Sequence, residues 1–222
     1  MKIELSFTEE NYLKAIFSLS TIKESAVSTN DIANKLETKA SSVTDMIKKL
    51  AEKKLVDYKK YQGVSLTKSG RKRAVSIVRN HRLWEVFLFE KLEFSWDEVH
   101  ELAEQLEHIY SDKLTEKLDA FLDHPTHDPH GDPIPDKDGN IELEKNHALA
   151  TIEVGITCVV VGVRDSSSLF LKFLDNSKIK LGSTLKVLHK EDFDNSMLVK
   201  IDNEERSLSN QITKNLFIKE VE

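Results

Sequence analysis

The chain has 222 residues, 32 Lys+Arg against 38 Asp+Glu, with 39% apolar and 32% charged residues, a composition that fits one to three small folded domains and excludes disorder throughout. Its one cysteine, Cys158, excludes an internal disulfide and any cysteine-built zinc knuckle or iron-sulfur cluster, and suits a reducing compartment. No stretch approaches the roughly 18 apolar residues of a membrane helix and the first residues lack the apolar core of a secretion signal, so a cytoplasmic protein with no membrane partner is expected.

The net charge of -6 conceals a segregation, since residues 1–82 hold 17 Lys+Arg and 9 Asp+Glu while the remainder holds 15 and 29, with seven of the eight histidines. A basic first part suits a polyanion, and an acidic, histidine-rich remainder suits cations or protein contacts. In chain order, Tyr12, Leu13, Ile16 and Phe17 predict a helix over 8–20, with Thr8 as its cap. Ser28-Thr-Asn-Asp31 and Ser42-Val-Thr-Asp45 read as capping boxes that open two short helices around a tight turn. Two period-2 segments, 55–58 and 64–66, flank Gly63 and predict a hairpin. Helix, helix-turn-helix and hairpin in this order make a winged helix.

A long helix is predicted from Lys68 to about Glu90, a second behind the box Ser95-Trp-Asp-Glu98, and a third over 112–123. The stretch 124–140 contains all four prolines and reads as irregular. Beyond it the period shortens, and segments 157–163, 169–174, 184–188, 197–201 and 216–221 predict about five strands of a small barrel.

In a helix-turn-helix the second helix enters the major groove, so its start and outer face should be small, polar or basic. Lys39, Ser41, Ser42, Thr44 and Asp45 lie at that start, Lys48 and Lys49 one turn on, and Lys59 and Lys60 at the tip of the wing, with Lys68, Arg71, Lys72 and Arg73 extending the basic surface. Such lysines supply phosphate contacts, while the polar side chains at the helix start read base edges; Asp45 is the odd member, since phosphate repels an anion in the groove unless it accepts from a cytosine amino group. His81 and Glu85 are spaced i, i+4, and His100, Glu104, Glu107 and His108 form one stripe beside the apolar face of the next helix. Carboxylates and imidazoles converging from separate helices suit a hard or borderline divalent cation.

The chain resembles the iron-dependent repressor family, which includes the diphtheria toxin repressor and the manganese transport regulators. The resemblance rests on Glu10-Asn-Tyr-Leu13, Ser41-Ser-Val-Thr44, Leu66-Thr-Lys-Ser-Gly70, His81-Arg-Leu-Trp-Glu85, Val99-His100, Glu104-Gln-Leu-Glu-His108 and Pro129-His-Gly-Asp-Pro-Ile-Pro135, in the family's order. It implies a mainly α protein with a small β domain: a winged helix over 1–73, a helical dimerisation and metal-binding domain over 74–143, and an SH3-like, FeoA-like barrel over 144–222. It further implies a homodimer that binds a palindromic double-stranded operator of metal-uptake genes with metal as corepressor, and no enzymatic activity. Two metal sites are implied, one of Asn11, Glu104, Glu107 and His108, the other of His81, Glu85 and His100 completed from the C-terminal domain, where Asp165 is the candidate.

Iron-responsive members of the family carry sulfur ligands at the positions of Asn11 and Glu104, and manganese-responsive members carry carboxylates. The oxygen-and-nitrogen set of this chain suits Mn(II), with Fe(II) as the alternative and Zn(II) binding in vitro by the usual affinity order. Asn11 departs from both patterns, and Lys14 stands where some manganese regulators have a second carboxylate on the first helix. The alternative functions are a winged-helix regulator indifferent to metal and a metal-dependent hydrolase built on Glu104, Glu107 and His108. His124, His127 and His130, in the proline-rich stretch, read as surface or turn residues, and Cys158, Trp84 and Trp96 as packing residues.

Overall fold

The computed structural model describes residues 4–23, 26–59, 62–141, 146–201 and 204–221. They form two compact units, the first of Met1–His81, Glu104–Thr115 and Pro135–Ile141, the second of Arg82–Ala103, Glu116–Ile134 and Glu142–Glu222.

In the first unit, α1 spans Phe7–Lys23, α2 Thr29–Lys35 and α3 Ala40–Glu52, followed by strands β1 (Val56–Lys59) and β2 (Gly63–Leu66) and the start of α4 (Lys68–Leu92). The first helix begins before Thr8 because Ser6 and Glu9 form the capping box: Ser6 N donates to Glu9 Oε2 at 2.8 Å and Glu9 N to Ser6 Oγ at 3.3 Å. Ser28 caps α2 as expected, its hydroxyl accepting from Asp31 N at 3.1 Å. The second predicted box does not form. The chain leaves α2 through Glu37 in the left-handed region (φ 49) and Thr38 N bonds Ala33 O at 3.0 Å, which starts α3 at Ala40 with no side-chain cap. Ser42 and Asp45 are therefore exposed positions inside the helix.

Val43, Ile47 and Leu50 turn one face of α3 onto Leu13, Ile16 and Phe17 of α1, Ile32 of α2, Val56 and Val64 of the wing, and Ala74, Val75 and Val78 of α4. Truncating any of the larger members to Ala costs about 2–5 kcal/mol. The wing pairs antiparallel in the register Val56↔Leu66 to Lys59↔Gly63, and Val27 adds a bridge to Val64. Gly70 is obligatory, since a Cβ there would lie 1.8 Å from Leu55 O, the carbonyl where the wing meets α4.

The second unit holds a small helical core of Leu83, Val86, Leu118, Leu122 and Ile134, drawn from α4, α6 (Asp112–Phe121) and the segments after it. α5 runs over Val99–Leu106, and of the box predicted before it only the Glu98 half forms: Ser95 N donates to Glu98 Oε2 at 3.0 Å, while the Ser95 hydroxyl donates to the Asp97 and Glu98 carboxylates and Glu98 N bonds the Ser95 carbonyl. The remaining strands are β3 (His147–Ala148), β4 (Thr157–Val163), β5 (Thr184–Lys190), β6 (Met197–Ile201), β7 (Glu204–Leu208) and β8 (Leu216–Glu220). They make one antiparallel sheet in the order β3-β8-β4-β5-β6-β7. The expected strand over 169–174 is instead a helix, α7 (Ser168–Asn176), in which Leu171 and Leu174 are buried at helical spacing while Leu169 is 85% exposed. Leu, Phe, Lys and Asp without a β-branched residue favour the helix over a strand. A short helix α8 (Asn210–Asn215), capped by Ser209, was not expected either. Cys158 is buried on β4 as a packing residue, and burial, with Glu220 beside it, pushes its thiol up to about 11.

Candidate metal centres and nucleic-acid interface

The first cluster is built entirely within the first unit. α1 places Glu10, Asn11 and Lys14 on one face by i, i+1, i+4 spacing, the last turn of α5 supplies Glu104, the turn beyond it supplies Glu107 and His108, and α4 supplies His81. At its centre is the Glu107 carboxylate, whose side chain is fully buried. His81 Nδ1 lies 2.6 Å from Glu107 Oε2, and Lys14 Nζ lies 2.8 Å from both Glu107 oxygens and 2.5 Å from Glu104 Oε1. Asn80 holds the turn from the other side, donating to Glu107 O at 3.3 Å and accepting from Thr115 Oγ1 at 2.7 Å.

His108 is fixed by two further contacts. Its ring stacks on Phe7, with centroids 4.3 Å apart, and its Nδ1 lies 2.6 Å from Glu10 Oε2. A carboxylate on Nδ1 selects the tautomer protonated there and leaves the Nε2 lone pair as the donor, 3.9 Å from Glu107 Oε1. Glu10 is itself paired with Arg73, whose guanidinium also lies over the Tyr110 ring. Arg73 is thus an internal partner and not part of the basic surface where the sequence placed it.

The Asn11 side-chain oxygen is buried with no hydrogen-bond partner. A buried, unpartnered acceptor on the α1 face that carries Glu10 and Lys14, together with the converging carboxylates of Glu104 and Glu107 and the imidazole of His81, makes a donor set suited to a hard or borderline divalent cation, and the residues present fit one. The ligand atoms of His81, Glu104 and Glu107 lie within 4.8 Å of one another.

The second cluster lies within the second unit. Glu85 on α4 is buried, and its Oε1 lies 3.0 Å from His100 Nδ1 and 3.6 Å from His130 Nδ1. His130 Nε2 bonds Trp96 O at 2.8 Å, and Asp128 Oδ1 accepts from the backbone N–H of His130 at 2.8 Å and of Asp132 at 3.0 Å. Glu85, Asp128 and His130 present ligand atoms within 4.8 Å of one another, all three buried. Burial, with Glu85 and Asp132 nearby, pushes the Asp128 carboxyl up to about 8. Burial works against the His130 cation, but the bond to Glu85 and the charges of Glu85 and Asp128 outweigh it and raise the imidazole to about 9.

Asp128 and His130 were missed as a pair, and the surface reading of His130 is corrected by its 4% exposure. The available signal was Asp128-Pro-His-Gly131: Gly131 adopts φ +85 and a Cβ there would meet Val161 O at 2.1 Å, so the loop is pressed onto β4, where Val163 N bonds His130 O at 2.9 Å. His124 and His127 stay peripheral, bonded to Asp119 at 2.7 Å and Thr126 at 3.0 Å. Asp165 accepts from Ser167 N at 2.9 Å in the turn before α7 and is in none of the convergent clusters among the described residues.

The outer face of α3 presents Ser41, Ser42, Asp45, Lys48 and Lys49 to solvent, with Lys39 just before it. Thr44 is half-buried and donates to Ala40 O at 3.0 Å. Asp45 pairs with Lys48 at 3.5 Å, and Lys49 lies 3.3 Å from buried Glu9, which also holds Lys53 at 2.7 Å. Lys59 is exposed at the end of β1, and Lys60 lies outside the described residues.

Three family models match: the iron-dependent repressor N-terminal DNA-binding domain over residues 4–64, its metal-binding and dimerisation domain over 67–136, and the FeoA domain over 147–220. The iron-dependent repressor IdeR of Mycobacterium tuberculosis (strain ATCC 25618 / H37Rv) is 31% identical over 140 residues, covering 63% of this chain and 59% of IdeR. A probable metal transport system membrane protein of Chlamydia trachomatis serovar D is 44% identical over 86 residues, 39% of this chain and 19% of that protein. The chain therefore spans less than two thirds of the length of these two relatives. A manganese-dependent transcriptional repressor solved in complex with manganese superposes with a TM-score of 0.83 at 36% identity, covering 96% of this chain and all of that one. On these matches the chain belongs to the iron-dependent repressor family, in a form that carries a C-terminal FeoA domain.

Proposed function

We propose that the protein is a cytoplasmic, homodimeric transcriptional repressor that binds palindromic DNA when a divalent metal, Mn(II) before Fe(II), occupies its first cluster. The observation that carries this reading is the make-up of one compact unit: a winged helix with a polar and basic recognition face shares α1 with a buried carboxylate–imidazole cluster that leaves Asn11 Oδ1 without a partner. Asn11, Glu104, Glu107 and His108 would hold the metal, with Glu85, His100, Asp128 and His130 as a second set in place of one that calls on Asp165. His81 stands beside the first set through Glu107.

When bound, the ion supplies a multivalent cross-link between α1 and the segment after α5. The chain's own residues do the rest. Glu10 presents His108 through Nε2, Asn80 holds the Glu107 turn, and Glu9 with Lys49 and Lys53 ties α1 to α3, so that a change at the cluster is passed to the recognition helix. Differential affinity of metal for the DNA-competent arrangement is all that coupling requires, and DNA reciprocally tightens metal binding. Ser41, Ser42, Thr44 and Asp45 would face base edges, and Lys39, Lys48, Lys49, Lys59 and Lys60 the phosphates. The match to the DNA-binding and the metal-binding and dimerisation models of a regulator family favours this reading over a hydrolase.

The test is fluorescence anisotropy on DNA upstream of the cell's own metal-uptake genes, with Mn(II), anaerobic Fe(II) or EDTA, for wild type and Glu107→Ala. Metal-dependent binding is expected to fall by about a hundredfold or more in the variant. Equal binding in EDTA would leave the winged helix and remove metal from the mechanism.

A further inference from the structure

Lys14 occupies the middle of the first cluster. Its ammonium has three hydrogens, and three carboxylate oxygens lie within bonding distance: Glu104 Oε1 at 2.5 Å and Glu107 Oε1 and Oε2 at 2.8 Å each. That set saturates the donor capacity of a lysine. The Glu107 side chain is fully buried, so its charge requires a close cation, and Lys14, whose own side chain is 20% exposed, meets that requirement. The oxygens it binds belong to the two carboxylates proposed above as metal ligands.

We propose that Lys14 is a tethered cation that bridges α1 to Glu104 and Glu107 without metal and competes with the divalent ion for those oxygens. This rests on the metal-gated reading of the same cluster. An ammonium and a divalent cation cannot share one set of oxygens, because Nζ fills the space between them and the two positive charges repel. Metal binding therefore requires the lysine to withdraw, which its flexible four-carbon stem and its partial exposure permit. Arg73 does not take this part, since its guanidinium is engaged by Glu10. Two consequences follow for the chain. The first cluster is a weaker metal site than its carboxylates alone would make, so the response is set to a higher metal concentration. The link from α1 to residues 104–107 also persists without metal, through a single charge in place of two.

The experiment is calorimetric titration of the chelator-treated full chain with Mn(II) for wild type, Lys14→Met, Lys14→Arg and the double variant Lys14→Met/Glu104→Gln. Lys14→Met should tighten one equivalent of Mn(II) by about tenfold or more, Lys14→Arg should stay near wild type, and the double variant should lose the gain. Identical isotherms for wild type and Lys14→Met, or equal tightening by Met and Arg, would overturn the competition. Thermal denaturation provides the second readout: without metal, Lys14→Met should melt below wild type, and Mn(II) should raise its Tm by more. A smaller Mn(II)-induced rise in the variant counts against the proposal. Operator binding by wild type with and without Mn(II) separates the two ideas. Gated binding with unchanged isotherms would sink the competition alone, whereas ungated binding with a tightened isotherm would sink the gating and leave the competition standing.

Discussion

The two carboxylate–imidazole clusters use the same side-chain types and differ in how their charges are met. In the first, Glu107 and Glu104 are faced by a lysine and Glu10 by an arginine, so the anions carry their own cations from α1 and α4. In the second, Asp128 is 3.6 Å from the nearest Arg82 nitrogen, and a proton does part of the work, since both Asp128 and His130 are shifted upward. On this contrast, fixed cations would make the first cluster respond to competing cations, and bound protons would make the second respond to pH. The clusters also differ in scaffolding: the first is drawn from helices and the turn just past α5, whereas the second adds to Glu85 and His100 on helices a loop held by a glycine.

The largest expected effect breaks the second cluster alone. Gly131→Val places a β-branched residue at φ +85 with its Cβ 2.1 Å from Val161 O, so the loop must lift from β4. A loss of about 3 kcal/mol or more in denaturant stability is expected, with one Mn(II) equivalent lost and the other retained. Loss of both equivalents, or of neither, would contradict the independence of the clusters.

Next comes pH, which tests the proton side of the comparison. His130 has a folded-state value raised from 6.5 to about 9, so its contribution is complete below 6.5 and lost as pH rises through about 9. Asp128, raised from 3.8 to about 8, acts in the same direction at lower pH, its contribution complete below 3.8 and lost through about 8. The two groups titrate as a pair, so chelated protein should lose stability as pH rises from 5 to 9 in urea denaturation. Glu85→Gln removes a common cause of both shifts and should flatten the profile. A wild-type profile that is level or rising would refute the protonated cluster.

How much of this was legible in the sequence follows the same division. Groups on or next to one helix were readable, because His100 and Glu104 on α5 and Glu107 and His108 in the turn just past it continue one helical spacing, and the winged helix announced itself through the order of its elements. Loop-borne groups were not: Asp128 and His130 are brought to Glu85 by a glycine's left-handed turn against a strand some thirty residues later, and no local period encodes that approach. The α7 segment failed for another reason, since five apolar residues in six fit a buried strand and an amphipathic helix equally until Leu171 and Leu174 select the face. Lys14 was visible only as a departure from the family's pattern; that it fills the cluster follows from which way α1 turns, which tertiary packing decides.

A smaller effect sharpens the first cluster. Glu10→Gln keeps the shape of the side chain but replaces the carboxylate that orients His108 with an amide whose two ends are interchangeable toward Nδ1. Mn(II) affinity at that equivalent should fall by about tenfold, the low end for an outer partner of a metal-bound histidine, with the second equivalent unchanged. An unchanged isotherm would remove Glu10 from the positioning of His108 and leave the Phe7 stack as its guide.

The smallest expected effect reaches the first cluster through the helix that carries it. Ser6→Ala removes the hydroxyl that accepts from Glu9 N, half of the box that starts α1, at a cost of about 1 kcal/mol. Glu9 keeps its bonds to Ser6 N, Lys49 and Lys53, and although burial opposes its charge, those partners hold its carboxyl below the usual range. The variant should therefore remain folded but fray the turn that leads into Glu10, Asn11 and Lys14. Hydrogen exchange is the measurement that resolves so small a change: amides of the first turn of α1 should exchange several-fold faster, while those of β4 behind the second cluster should not change. Equal acceleration in both places would mean that the two clusters share one cooperative unit, and the contrast between a helix-held and a loop-held site would lose its basis in stability.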